Sequence, residues 1–320
     1  MITRLLLRRL LQSVLVFLGA TFIVYCMVWL LPGDEIRALF GFQRPDAATV
    51  AELRAAYHLD EPFLQQYGRY LLDFLQGDMG PFYSTNVFGD LVQRDVVNRI
   101  VLDSLPRTLR IVSVSIVIQL LVAIPGGVAL GRRHGTGGDR GVLVMGVIGV
   151  AIPGFVFAAI VRPFAVDIFG GSFLEAQGWT RAVLPGLVAA IVPAALITRV
   201  LRLRAQELAH EPWVTTMRGC GIKEDRIAWW YGGRQVLITG VTLVAAEIGP
   251  TLAGLLVVEQ VFQIRGLGSV LLAAARNQQG PLVTGAVTSF IAVTVIATLI
   301  ADVLVLMLDP RLSHTLPRDD

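Results

Sequence analysis

Apolar and polar stretches alternate along this chain on the scale of a bilayer rather than of a soluble core. Leu10 to Leu31 is apolar throughout, and Pro32-Gly33 ends it. A helix needs about 20 such residues to cross a membrane, so 10–31 is read as the first span. Further apolar runs at 107–130, 141–169, 183–198, 236–258 and 283–308 give six predicted transmembrane helices. Pro153-Gly154 falls inside the third and predicts a kink there. The N-terminal run resembles a signal peptide only superficially. It exceeds the roughly 7–15 residues of a signal's apolar core, and no small-residue cleavage site follows.

The polar segments divide the rest. They are 1–9, 32–106, 131–140, 170–182, 199–235, 259–282 and the tail 309–320. The longest, 32–106, includes an amphipathic stretch from Pro62 to Leu75, with Phe63, Tyr67, Tyr70 and Leu71 at apolar positions, which predicts a helix. Within 199–235, Arg199 to His210 continues a helix beyond the membrane, and Pro212 breaks it and suits the first turn of the next. Trp213 to Cys220 is a short second helix. Gly221 sits where a left-handed C-cap falls. From Ile222 the chain returns to the membrane through Trp229, Trp230 and Tyr231.

Composition agrees with this division. Of 320 residues, 54% are hydrophobic and only 16% charged, against about 25% charged in soluble domains. The net charge of +3 matters less than its distribution. With the N-terminus inside, the segments on that side carry three, three, seven and two basic residues in turn, and the short outer segments carry only Arg181, Arg265 and Arg276. The positive-inside rule then places both termini in the cytoplasm. Only one of the 27 basic residues is a lysine, Lys223, and no basic stripe lies outside the loops, so nucleic acid is not the expected partner. Cys26 and Cys220 suggest neither a disulfide nor a metal site.

Enzyme readings fail on inventory. The histidines are His58, His134, His210 and His314, none inside a predicted span. His210-Glu211 lacks the second histidine of a metalloprotease helix. The glycine-rich GRRHGTGGDR has neither the strand nor the lysine of a phosphate loop. Four ionisable residues fall in or near spans: Arg162, Asp167, Glu247 and Asp302. Such residues are costly at membrane depth and often functional. Glu247, near the middle of the fifth span, is the candidate residue of a translocation path. It either meets a cationic group in a cavity or bonds a neighbouring helix.

The central loop also resembles the cytoplasmic coupling loop of bacterial ABC-importer permeases of the dipeptide, oligopeptide and nickel group. In the run Trp213, Val214, Thr215, Thr216, Met217, Arg218, Gly219, Cys220, Gly221, Ile222, Thr216 and Gly221 match that family's pattern. Met217, Gly219 and Cys220 depart from it. Tyr231 stands at a usual histidine, Arg234 matches, and Thr239 stands at a usual proline. The likeness extends along the chain through Leu31-Pro32-Gly33-Asp34, Leu59-Asp60-x-Pro62, Gly77-Asp78-x-Gly80 and Leu105-Pro106-x-Thr108. It continues through Ile152-Pro153-x-Phe155, Glu259-x-x-Phe262, Gly266-Leu267-Gly268, Asp302 and Asp309-Pro310-Arg311. Glu35 and Arg265 replace usual prolines.

The chain is thus similar to the B-type permease subunit of a peptide-class importer, of the binding-protein-dependent transport system inner membrane component family. The resemblance implies an all-α membrane fold of six transmembrane helices of the type I importer kind, with a large extracytoplasmic loop after the first. It implies a bacterial inner-membrane location and half of a translocation path for peptides or a related small solute. It implies as partners a second homologous permease, two ATP-binding subunits and an extracytoplasmic substrate-binding protein. No cofactor is expected in this chain, with ATP and Mg on the partner ATPases. Trp213 to Gly221 is the ATPase-coupling segment by the same resemblance, and no catalytic or metal-binding residue is expected. The alternative is a stand-alone secondary transporter or channel, which needs ion-coupling groups within its spans.

Overall fold

The computed structural model of the chain describes residues 2–29, 47–85, 91–132, 141, 154–169 and 178–308. The described residues are nearly all helical. In chain order the elements are α1 (Ile2–Trp29), α2 (Ala47–Ala56), α3 (Phe63–Gln76), the strands β1 (Pro81–Thr85) and β2 (Leu91–Val96), and α4 (Val97–Arg132). There follow α5 (Gly154–Phe169), α6 (Gly178–Ala209), α7 (Pro212–Gly219), a helical turn at Glu224–Arg226, and a π-helical segment at Ile227–Gly232. The last are α8 (Gly233–Ala246), α9 (Ile248–Val261), α10 (Leu267–Arg276) and α11 (Gly280–Leu308).

Among the described residues, four helices are long and apolar enough to cross a membrane: Leu7–Trp29, Val97–Arg132, Gly178–Ala209 and Gly280–Leu308. The pair Glu224–Ala246 and Ile248–Val261, bent by 48°, makes a fifth if the two together are one span. The expected third span, 141–169, is described only at Gly141 and from Gly154, so the predicted kink at Pro153-Gly154 lies outside the described residues. The helices outrun the apolar stretches that announce them. The run at 183–198 lies within a helix that begins at Gly178 and continues to Ala209. Backbone hydrogen bonding does not stop where arginines begin, and Leu201, Arg202 and Leu208 remain buried in the extension. The fifth predicted span, 236–258, is broken at Glu247. Pro250 has no N–H to give to the carbonyl four residues back, which interrupts the helix there.

The chain forms two compact units. The first comprises Met1–Gln12, Leu109–Phe262 and Ile296–Asp320. Its core joins Ala123 and Val128 of α4, Ile197, Leu201 and Leu208 of α6, and Val236 and Val244 of α8. The contact between α4 and α6 is made by glycines. A Cβ on Gly127 would lie 2.5 Å from Leu201 Cβ, and one on Gly131 would lie 2.6 Å from Ala205 Cβ. Gly127 and Gly131 are four residues apart, as are Leu201 and Ala205, so these two helices run parallel with their backbones close. Small residues at this spacing are the common solution for tight helix contact in lipid. Asp302 of α11 is paired with Arg9 of α1 at 3.6 Å, which gives this acid a structural partner.

The second unit comprises Ser13–Thr108 and Gln263–Val295. The helix predicted at Pro62 to Leu75 is found at Phe63–Gln76, with Gly77 at φ +84° closing it. Its aromatic face packs on α1, with the Tyr25 ring 5.5 Å from Phe63, 5.6 Å from Tyr67 and 5.3 Å from Tyr70. Tyr67 Oη donates to the Leu18 carbonyl (2.8 Å) and Tyr70 Oη to Thr288 Oγ1 (2.7 Å). β1 and β2 form an antiparallel hairpin with a bulge between Phe82 and Tyr83. Val97, Val101, Leu267, Ala274, Leu282 and Ala286 form this unit's buried core. Thr108 Oγ1 accepts the Leu267 N–H at 2.8 Å, so a hydroxyl from α4 caps the first turn of α10.

Candidate functional site

α6 ends at Ala209, and the chain turns through His210 and Glu211 into α7. Pro212 occupies the first helical position, where its missing N–H costs nothing. The short helix has two faces. Val214 is buried, Trp213 and Met217 are half-buried, and Trp213 packs against the core that joins α4, α6 and α8. Thr215, Thr216, Arg218, Gly219 and Cys220 are exposed. The Thr216 hydroxyl is satisfied within the helix by the Pro212 carbonyl at 3.2 Å. The outer face is therefore a ledge of small residues with Arg218 at its far end, held from beneath by Trp213 and Val214.

The ledge ends in a Schellman motif. The Gly221 N–H donates to the Arg218 carbonyl (2.9 Å) and the Ile222 N–H to the Met217 carbonyl (3.1 Å). This pattern requires a left-handed residue at Gly221, whose φ is +74°. The expected C-cap glycine is thus found at its residue. Two ion pairs brace the turn. Arg218 grips both carboxylate oxygens of Glu224 across Gly221, and Arg132 at the end of α4 pairs with Asp225. The Arg218 guanidinium holds the Glu224 carboxyl below its usual range. Behind α7 lies a cavity of about 590 Å³ bordered by Arg132, Leu208, Trp213, Val214, Asp225 and Trp229.

The chain then enters the π-helical segment Ile227–Gly232, where one extra residue per turn shifts the register of the aromatic cluster. Trp229 and Trp230 are exposed and Tyr231 is half-buried. Arg234 donates from Nη2 (2.6 Å) and Nε (3.1 Å) to the Leu308 carbonyl at the end of α11, a guanidinium at a helix C-terminus.

Glu247 lies elsewhere in the same unit, at the break between α8 and α9, and is half-buried. Its N–H reaches the Leu243 carbonyl (3.1 Å), and its own carbonyl accepts the Thr251 N–H (2.9 Å). The structure does not bring it together with α7; it lies at the 48° bend between α8 and α9. Among the described residues no group of three or more His, Cys, Asp or Glu is placed to hold a metal ion. Sequence reasoning missed the two ion pairs bracing the turn and the Gly127/Gly131 contact. The first carries no local signal, whereas the second is visible as two glycines four apart in an apolar run.

The chain matches two family models. One, described as the binding-protein-dependent transport system inner membrane component, covers residues 123–314. The other, the N-terminal part of such membrane components, covers residues 1–112. Among curated proteins, it is 27% identical over 319 residues to the oligopeptide transport system permease protein AppB of Bacillus subtilis, covering 96% of this chain and 98% of that protein. It is 28% identical over 309 residues to the glutathione transport system permease protein GsiC of Salmonella paratyphi A, with the same coverage. It is 25% identical over 338 residues to the di/tripeptide transport system permease protein DppB of Pseudomonas aeruginosa, again covering 96% and 98%. A family model spanning more than half of the chain, together with the apolar crossings and the exposed helix between two of them, shows that this protein belongs to the binding-protein-dependent transport system inner membrane component family, as a multi-pass membrane subunit of an ABC importer rather than its motor.

Proposed function

We propose that this chain is the B-type permease of an ATP-driven importer of peptides or a closely related small solute, and that α7 with Gly221 is the handle gripped by one ATPase subunit. The observation that carries the reading is the ledge itself. It is a short helix fixed from below, braced at its far end and presenting small side chains outward. A rigid ledge joined to two crossings transmits the closure of a motor as a rigid-body rotation, whereas a solvated loop absorbs it. Substrate-stimulated ATP hydrolysis by the reconstituted complex tests the coupling role. Co-purification of an ATP-binding subunit with this chain separates it from a stand-alone transporter.

The remaining parts of the proposal are six spans with both termini cytoplasmic, a large extracytoplasmic loop after the first, and a full assembly of two homologous permeases, two ATPases with ATP and Mg, and a substrate-binding protein. Parallel α4 and α6 support this topology, because the chain between them has to cross back, and the apolar run 141–169 supplies the crossing. The arginine asymmetry supports the orientation. Single cysteines engineered at Gly77 and Lys223 are expected to react with a membrane-impermeant reagent from the outside and from the cytoplasm respectively. Reaction of position 77 from the cytoplasm alone overturns the topology. The peptide class is favoured by the named substrates of the three relatives.

Glu247 is proposed to line the path. An acid that is only half-buried, at the bend between two apolar helices, supports this reading. Glu247→Gln is then expected to reduce uptake of cationic peptides several-fold more than uptake of neutral ones, with assembly unchanged. A silent Glu247→Gln combined with a poorly assembling Glu247→Leu instead assigns the residue to helix contact.

A further inference from the structure

The second unit contains a pocket that neither α7 nor Glu247 borders. It lies among α1, α3, the turn after α2 and the approach to β1. We propose that this pocket binds a small organic ammonium group that carries an acceptor oxygen a few atoms away.

Four rings border it in an unbroken series. Tyr70 is 5.3 Å from Tyr25, Tyr25 is 6.0 Å from Trp29, and Trp29 is 6.1 Å from Tyr57, between ring centres. The hydroxyls of two of them are committed elsewhere: Tyr70 Oη donates to Thr288 and Tyr57 Oη to the Pro81 carbonyl (3.3 Å). Burial raises the phenol pKa of both Tyr57 and Tyr70, so the wall stays neutral. Aromatic walls attract a cation through the ring quadrupole, most strongly where water is excluded.

Charge selects the cation. Asp73 and Asp78 border the same pocket, and among the described residues no ion pair neutralises either. Asp78 Oδ1 accepts the Gly80 N–H at 2.9 Å, which fixes its carboxylate in place. Among the described residues bordering the pocket the one guanidinium, Arg69, is held 2.9 Å from Glu61 and 3.2 Å from His58 Nδ1, so its charge is already matched. An anion would face two carboxylates, and a neutral apolar group would gain nothing from them. Volume limits the ligand further: about 80 Å³ holds one ammonium head, not a whole peptide. The acceptor oxygen follows from Trp29. Its Nε1 is buried at this wall and finds no partner among the described residues. A buried N–H without an acceptor is costly, and a ligand oxygen beside the ammonium group would satisfy it. Choline has that pattern, and so does the amino terminus of a peptide with its first carbonyl.

The site stands apart from the permease reading, because binding is measured on the full chain in nanodiscs without ATP or partner subunits. Calorimetric titration is expected to show saturable binding of choline and at least tenfold weaker binding of its neutral carbon isostere, 3,3-dimethylbutan-1-ol. Asp73→Asn is expected to weaken choline roughly tenfold or more, the loss of a charge-assisted contact. Trp29→Phe keeps the ring and removes the N–H, so it is expected to weaken choline while leaving tetramethylammonium unchanged. A merely structural tryptophan would not split the two ligands. Competition by dialanine but not by N-acetyl-dialanine assigns the site to the transported solute. Competition by neither assigns it to a free ammonium compound. Equal affinity for choline and its isostere, no choline binding at all, or full affinity in a well-folded Asp73→Asn variant overturns the proposal.

Discussion

Gly221→Val is expected to abolish most substrate-stimulated ATP hydrolysis while leaving membrane insertion and subunit stoichiometry intact. No atom obstructs the new side chain, since a Cβ at Gly221 would meet nothing within 4 Å. The penalty is therefore conformational. A residue with a Cβ costs roughly 1–2 kcal/mol in the left-handed region, most when β-branched. Every 1.4 kcal/mol is tenfold in an equilibrium, so the Schellman turn is expected to give way before the core does. The chain leaving α7 is then redirected, and the exposed face of Thr215, Thr216 and Gly219 shifts relative to Trp213 and Val214 beneath it. Gly221→Asn supplies the internal control, because asparagine tolerates this region better. The chain already places His58, Gln263 and Gln278 at φ of 55°, 54° and 54°. The expected order of stimulated activity is wild type, then Asn, then Val. An intact Gly221→Val complex with wild-type stimulation removes this loop from coupling.

Gly127→Val is expected to destabilise the first unit more than any loop substitution. Its Cβ would fall 2.5 Å from Leu201 Cβ and 3.1 Å from the Leu201 carbonyl carbon, which is backbone and cannot rotate away. Helices α4 and α6 must separate, and overpacking of this kind costs about 1–3 kcal/mol. The separation also moves Arg132, at the end of α4, away from Asp225 in the turn after α7. A fall of about 5 °C in the thermal midpoint of the purified protein is expected. Gly254→Ala, where a Cβ meets nothing within 4 Å, is expected to be silent. Equal midpoints for Gly127→Val and wild type contradict the close contact.

Four of the six apolar runs were legible as helices long enough to cross without help from tertiary structure, because a bilayer requires continuous hydrophobic length from each segment by itself. The short helix after Pro212 and the left-handed glycine at its end were equally legible, since proline at a first turn and glycine at a C-cap are local rules. So was the amphipathic helix at Phe63, from its spacing of aromatic residues. What the sequence could not give was anything that depends on two distant segments meeting. The bracing of the turn after α7 joins Arg132 to Asp225, which are separated by the whole of α5 and α6. The pocket joins Trp29, Tyr57 and Asp73 from three elements. Helix length escaped too: α6 runs past its arginines because Leu201 and Leu208 find a core on α4 and α8, which hydropathy along one segment does not register. Glu247 was visible as an acid in an apolar run, but only the bend between α8 and α9 makes it a residue at a break rather than one on a continuous helix face.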